Sequence, residues 1–228
     1  MYLLGDSTVC DQPLEPWNSW GQMLTRFFKP EVSIANHAQS GESVRSSLNA
    51  GRFSKVWKII KQGDYLFVQF GHNDMKSREP KALETYKSDL MNIVSETKKR
   101  GATPVLVTSM ERKNGIKNDT LGDYPAVVRE VAAETGSALI DLHAMSKVLY
   151  GALGPDLDKA FQDGTHHNCY GSYQLAKCIV QGIIDNKLKL AEYIVDEFGG
   201  YDPARPDPVE SIKVSPSPVG TAVKPLGS

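Results

Sequence analysis

Short apolar runs that stop abruptly at small and polar residues recur along this chain, with segments of helical period between them. Tyr2-Leu3-Leu4 ends in Gly5-Asp6-Ser7-Thr8, Val32-Ser33-Ile34-Ala35 in Asn36-His37, and Tyr65 to Phe70 in Gly71-His72-Asn73-Asp74. Strands are predicted near residues 2–5, 32–35, 65–70, 104–109 and 138–141. Helices fit Ser19–Phe28, Lys55–Lys61, Ala82–Arg100, Pro125–Thr135 and Gly171–Asn186. The segment 82–100 places Leu83, Tyr86, Leu90, Ile93, Val94 and Thr97 on one face, and Gly101 stops it. Short strands alternating with helices make this an α/β chain with a parallel sheet covered on both sides.

With 228 residues the chain is one ordinary α/β domain, taken as residues 1–200, followed by a Pro/Gly-rich segment from 201 to 228. That segment reads as a linker, a strap across the domain or the stump of a further one. Twenty-six basic against 27 acidic residues leave a net charge of −1, so no nucleic-acid or membrane attraction is expected. No apolar stretch is long enough to span a bilayer. The chain starts almost at its first strand with no signal-peptide pattern, so the expectation is a cytoplasmic protein or one whose leader or upstream domain was removed.

Chemistry is concentrated at the ends of the apolar runs. In an open parallel sheet the loops beyond the strands' carboxyl ends face a common crevice, which puts Ser7, Gly41 and Asn73 on one edge. Far downstream comes Asp163-Gly164-Thr165-His166. A serine hydroxyl is a weak nucleophile that needs an imidazole to take its proton, and the imidazole needs a carboxylate to fix its tautomer. Ser7, His166 and Asp163 supply those three groups. Gly41 lets a backbone N–H approach a ligand and Asn73 offers side-chain donors, which is what a tetrahedral oxyanion requires. His167 competes with its neighbour for the part of base; the spacing from Asp163 favours His166. Asp6, His72 and Asp74 read as loop-shaping residues, and His37 and His143 as structural or solvent-facing.

The order Gly5-Asp6-Ser7, Gly41, Gly71-His72-Asn73-Asp74 and Asp163-x-x-His166 resembles the SGNH (GDSL-type) hydrolases. Within them, Gly5-Asp6-Ser7-Thr8, Gln39-Ser40-Gly41, Val44-Arg45-Ser46, Gly51-Arg52-Phe53 and Gly63-Asp64-Tyr65 resemble the rhamnogalacturonan acetylesterase group. The resemblance covers roughly residues 1 to 195. It implies a flavodoxin-like three-layer α/β/α sandwich with strand order 2-1-3-4-5. It also implies Ser7 as nucleophile, His166 as base, Asp163 as its orienter, and an oxyanion hole from the Ser7 and Gly41 amides and the Asn73 side chain. The implied reaction is removal of O-acetyl groups from an acetylated plant polysaccharide or oligosaccharide, pectic rhamnogalacturonan before xylan. The resemblance implies no cofactor and no metal, and a secreted or periplasmic location; further domains of a longer natural chain are conceivable partners.

Substrate contacts are sought among Trp17, whose flat face suits a sugar ring, and the cations of the loops after strands two to four. These are Arg45, Arg52, Lys76, Arg78, Arg112 and Lys113, of which Arg45, Arg78 and Arg112 suit bidentate pairing with the carboxylates of an acidic polysaccharide. Trp20 and Cys178 read as core. Cys10 and Cys169 lie near Ser7 and His166, so a disulfide between them is geometrically conceivable. Two rivals of other classes remain. A two-metal phosphoesterase would use Asp, Asn and His ligands, but its loop reads Gly-Asn-His where this chain has Gly-His-Asn. A lectin-like module would bind polysaccharide without needing a nucleophile, base, carboxylate and oxyanion donors together.

Overall fold

The computed structural model describes residues 1–212. Five parallel strands form the sheet: β1 (Tyr2–Gly5), β2 (Ala35–Asn36), β3 (Tyr65–Gln69), β4 (Thr103–Val107) and β5 (Ala138–Ile140), in the order 2-1-3-4-5. The second strand keeps only two paired residues, Ala35 and Asn36, displaced from the expected 32–35. Val32 instead closes a turn on Lys29, and the strand's pairing is carried on past Asn36 by His37 and Gln39 bonding back to Leu3 and Gly5.

Alternation along each strand divides the core into two. Leu3, Phe67, Val105 and Val107 face one side, where α1 (Trp20–Met23), α6 (Leu142–Leu153) and α7 (Cys169–Asp185) pack. Leu4, Leu66, Val68 and Leu106 face the other, under α2 (Val44–Asn49), α3 (Arg52–Trp57), α4 (Ala82–Lys99) and α5 (Tyr124–Thr135). On α4 the buried residues Tyr86, Leu90, Ile93, Val94 and Thr97 form the predicted stripe. Each large apolar side chain of this kind contributes about 1.5–3 kcal/mol by leaving water.

Helices α2 and α6 were not foreseen. Ser43 caps α2 with a reciprocal Ser43–Ser46 box, and Asp141 caps α6 by accepting from Ala144 N. Expected helix Ser19–Phe28 is an α-turn of four residues followed by a 3₁₀ turn, Leu24–Phe27. Segment 201–212 lies along α7: the Asp207 carbonyl accepts from the Tyr170 hydroxyl at 2.7 Å and Gln174 Nε2 at 3.1 Å, and its carboxylate meets Lys177 at 2.7 Å. The rest of the Pro/Gly-rich segment, residues 213–228, lies outside the described residues. Cys10, Cys169 and Cys178 are all free, so the conceivable Cys10–Cys169 disulfide is not formed; Cys178 is buried in α7. No helix among the described residues is long and apolar enough to cross a membrane.

Gly21 marks where α1 passes closest to the loop after β1. A Cβ there would run into the Val9 carbonyl oxygen, a backbone atom that cannot rotate away. Gly21→Ala is expected to lower stability by about 1–3 kcal/mol through overpacking, exceeding the roughly 1 kcal/mol that alanine gains in helix propensity. A urea midpoint equal to or above that of the wild type would contradict this packing.

Candidate active site

The order 2-1-3 sets the loops after β1, β2 and β3 side by side, and β1 lies at the switch point where ligands bind in open α/β sheets. Ser7 follows β1 in a turn fixed by Asp6. The Asp6 carbonyl accepts from Val9 N and Cys10 N, each at 3.0 Å. Its carboxylate accepts from Thr8 N at 2.9 Å and the Thr8 hydroxyl at 2.8 Å. Trp20 Nε1 donates to Gln69 Oε1 and Gln69 Nε2 to Thr8 Oγ1, each at 2.7 Å, so the core indole and a strand residue brace the same turn.

His166 reaches Ser7 from 159 residues away. A two-residue antiparallel ladder pairs Trp17 with Asn168 and Asn18 with His167, tying the late loop to the segment that follows the Ser7 turn. Ser7 Oγ lies 2.8 Å from His166 Nε2, and His166 Nδ1 lies 2.8 Å from Asp163 Oδ2. The carboxylate requires a proton on Nδ1, which leaves Nε2 as the acceptor of the Ser7 O–H. The other Asp163 oxygen accepts from Thr165 N and His166 N, both at 2.6 Å. Burial works against the Asp163 charge, but these amides and the His166 ring together hold its pKa below the ordinary value. Trp17 stands edge-on to the His166 ring with centroids 5.7 Å apart.

The adjacent imidazole has a different setting. His167 is buried, meets the Tyr150 hydroxyl at 2.9 Å and packs on Phe161. Burial, with the nearby charges of His72 and His166, pushes its pKa down to about 3. It is a neutral core residue, and the ambiguity between the two histidines resolves on His166.

Three candidate oxyanion donors lie on the neighbouring loops after β1, β2 and β3. The backbone N–H groups of Ser7 and Gly41 bond to no acceptor among the described residues. Gly41 sits at φ 81°, a left-handed conformation that favours glycine. Asn73 is fixed at both ends of its amide: Lys76 Nζ donates to Oδ1 at 2.7 Å and Nδ2 donates to the Glu42 carbonyl at 3.0 Å. One Nδ2 hydrogen is left over. Sequence reasoning missed Lys76 in this part, although its position three residues after Asn73 in a 3₁₀ turn is a local signal.

The cations sought as substrate contacts are mostly spent within the protein. Arg45 pairs with Asp89 at 2.8 Å, Arg52 with Glu42 at 3.1 Å and Lys113 with Asp158 at 2.6 Å. Arg112, expected on the rim, is scaffold: it donates to the Thr120 carbonyl at 3.0 Å and the His72 carbonyl at 3.3 Å. Only Arg78 of the six is exposed with no ion pair or hydrogen bond to another described residue. His143 is buried rather than solvent-facing: Arg129 donates to its Nδ1, so its Nε2–H points to Glu111 at 3.3 Å. Against the cost of burial, His143 and Thr120 bring the Glu111 pKa down to about 2. Glu111, Asp119 and His143 are close enough to share an ion, but Asp119 pairs with Lys147, and none of the three belongs to the Gly5-Asp6, Gly71-His72-Asn73-Asp74 or His166-His167 motifs on which the phosphoesterase reading rests. Asp6, Asn73 and His167 are each held by other partners, as described above.

Residues 3–172 match the model of the GDSL-like lipase/acylhydrolase family. The rhamnogalacturonan acetylesterase RhgT of Bacillus subtilis is 36% identical over 221 residues, covering 87% of this chain and 95% of that one. Among solved structures, the YxiM protein of Bacillus subtilis superposes with a TM-score of 0.76 at 28% identity, over 82% of this chain. The chain spans 56% of that structure's length. Axe2, an acetylxylan esterase from Geobacillus stearothermophilus, shares the fold with a TM-score of 0.64 at 22% identity, over 80% of this chain and 92% of that one.

Two buried groups near the site oppose one another in pH. His167 contributes stability above pH 6.5 that is lost as pH falls toward about 3, because the unfolded chain takes a proton the native state refuses. Burial pushes the Asp74 carboxyl up from 3.8 to about 7, so its contribution is present below 3.8 and lost as pH rises through 7. Between roughly pH 4 and 6.5 the two slopes cancel in the wild type. Asp74→Asn is therefore expected to gain on the wild type by up to about 1.4 kcal/mol per pH unit over this range. Urea midpoints at three pH values test it; a constant difference between the two proteins would refute it.

Proposed function

The chain belongs to the GDSL-like lipase/acylhydrolase family and is an esterase, and from that premise we propose that it removes O-acetyl groups from carbohydrate, with pectic rhamnogalacturonan as its polymer. The observation that carries the reading is the Ser7–His166–Asp163 relay, with its two contacts of 2.8 Å. Identity of 36% to a rhamnogalacturonan acetylesterase supports the choice of polymer over xylan. The exposure of the relay supports a polymeric substrate: the His166 side chain is 28% and that of Asp163 42% exposed, as an enzyme working on a chain in solution requires. Such a substrate lies outside the cell, and the reading carries an extracytoplasmic location with it.

Ser7 Oγ attacks the acetyl carbonyl carbon while its proton passes to His166 Nε2. The oxyanion of the tetrahedral intermediate is met by the N–H groups of Ser7 and Gly41 and the remaining Nδ2 hydrogen of Asn73. His166 then delivers the proton to the departing sugar oxygen, leaving acetyl-Ser7. Water, deprotonated by His166, attacks the acetyl carbon and releases acetate. Asp163 holds Nδ1–H in place throughout and stabilises the imidazolium. Trp17, 5.7 Å from the His166 ring between centroids, borders the side on which the sugar departs.

Acetate release from acetylated rhamnogalacturonan and from acetylated xylan tests the reading. Ser7→Ala is expected to abolish release, a chelator to leave it unchanged, and Asn73→Ala to lower kcat by on the order of 10²–10³. Aryl octanoates should turn over far more slowly than aryl acetates. Loss of activity to the chelator would sink the serine mechanism, and a preference for xylan would move the substrate.

A further inference from the structure

The loop after β2 carries one candidate oxyanion donor and touches another, and the two meet at Glu42. Glu42 N closes a four-residue turn on the Gln39 carbonyl at 3.3 Å, and Gln39 N donates to the Gly5 carbonyl at the end of β1 at 3.0 Å. Gly41, at φ 81°, is the third residue of that turn, the position where a type II turn requires a positive φ. Closing a β-turn uses the N–H of its fourth residue, so that of Gly41 stays free for a ligand. The Glu42 carbonyl accepts from Asn73 Nδ2 at 3.0 Å. The backbone of Glu42 thus ends the turn that presents Gly41 and sets how the Asn73 amide is rotated.

Its side chain pins that backbone. The Glu42 side chain is only 14% exposed; Oε1 accepts from Arg52 Nε at 3.1 Å and Oε2 from the Ser46 hydroxyl. A charge-assisted bond of the first kind is roughly twice as strong as a neutral one. Ser46 also closes the capping box of α2 with Ser43, so the carboxylate is tied to the start of α2 and to the first residue of α3. The segment Gly51-Arg52-Phe53 shows how Arg52 comes back ten residues to Glu42. Gly51, at φ 71°, makes the left-handed corner between the two helices. Phe53 is fully buried and packs on Phe70 with ring centroids 6.0 Å apart, which fixes α3 to the core.

We infer that Arg52 is a positioning residue of the reaction: through Glu42 it holds the turn of Gly41 and the amide of Asn73 where the oxyanion forms. The inference rests on the oxyanion role given to Gly41 and Asn73 above. It opposes the expectation of Arg52 as a rim cation, in which the guanidinium holds a uronate.

Arg52→Gln, Arg52→Lys and Glu42→Gln are compared with the wild type on 4-nitrophenyl acetate and acetylated rhamnogalacturonan oligosaccharides, with thermal melts alongside. Arg52→Gln is expected to lower kcat about ten-fold on both substrates, part of the roughly 10²–10³ that deleting a donor costs, with KM within about two-fold. Arg52→Lys, which keeps the charge, should recover most of the loss. In an Asn73→Ala background Arg52→Gln should cost less than about three-fold, the part left to Gly41, because the other donor it positions is gone. A full second ten-fold loss overturns the inference. So does a loss confined to KM on the acidic oligosaccharide, which makes Arg52 a uronate contact, or a lower Tm with kcat kept, which makes the pair a stabilising one only. Should Arg52→Gln fail to fold, Glu42→Gln, which keeps the shape and loses the charge, decides by the same criteria. Undiminished kcat in Asn73→Ala refutes the oxyanion reading itself; a low kcat there beside an unchanged Arg52→Gln refutes the positioning alone.

Discussion

A carboxylate with no solvent exposure stands immediately before the candidate nucleophile, and the geometry of the site follows from the need to keep it compensated. Asp6 is completely buried. Burial alone would drive its pKa up; His72 and the two Thr8 donors more than offset this and leave it below the ordinary value. A charge so placed is tolerable only with its partners in position, because losing one leaves a buried charge uncompensated. Thr8 fixes the turn that carries Ser7. His72 Nδ1 faces Asp6 at 3.4 Å, which couples that turn to the loop carrying Asn73, and His72 Nε2 donates to the Met110 carbonyl at 3.0 Å. From there the chain of contacts passes through Arg112 and Glu111 to His143, Arg129 and Asp141 at the end of β5. One network of buried and half-buried polar groups thus spans the carboxyl edge of the sheet and braces the loops that carry Ser7 and Asn73.

The two neighbouring histidines show how backbone geometry divides chemistry. Successive residues of an extended segment point to opposite faces. In the short ladder with Trp17 and Asn18, His167 turns inward against Tyr150 and Phe161, and His166 turns outward against Ser7. The inner imidazole is held neutral by its surroundings and packs like an aromatic ring. The outer one has the carboxylate and the solvent access that proton transfer needs. A one-residue slip of the ladder would exchange their faces, so the pairing of two residues with two fixes which imidazole meets Ser7.

The strand–helix alternation and the candidates Ser7, Gly41, Asn73, Asp163 and His166 were legible because each is local, an apolar run, its stop, and a motif at the stop; the strand order came from the family resemblance. What stayed hidden depended on distant partners. Arg45 and Arg112 look alike in the sequence, as cations on loops after strands; one is paired by Asp89 on α4 and the other by loop carbonyls. His143 was left between a structural and a solvent-facing reading because nothing near it announces Glu111, 32 residues away, or Arg129. Helices α2 and α6 are a different kind of miss, since Ser43 and Asp141 are local capping residues that a stricter search for helix starts would have used. The apolar spacing of Leu142, Met145, Leu149 and Leu153 was there to be counted as well.

The Ser7–His166–Asp163 relay and the helices that flank it are separate parts of this fold. Ser7, Gly41 and Asn73 come from the loops after β1, β2 and β3, and His166 and Asp163 from the segment before α7. The ground beside them belongs to α2 and α4, which meet the rigid edge through a few contacts: Val44 N with Asp74, and Arg45 with Asp89. Changing side chains on α2 and α4 therefore alters what lies next to the scissile ester without disturbing the relay. That separation gives a physical reason why one arrangement of serine, histidine and aspartate can serve esters of very different size.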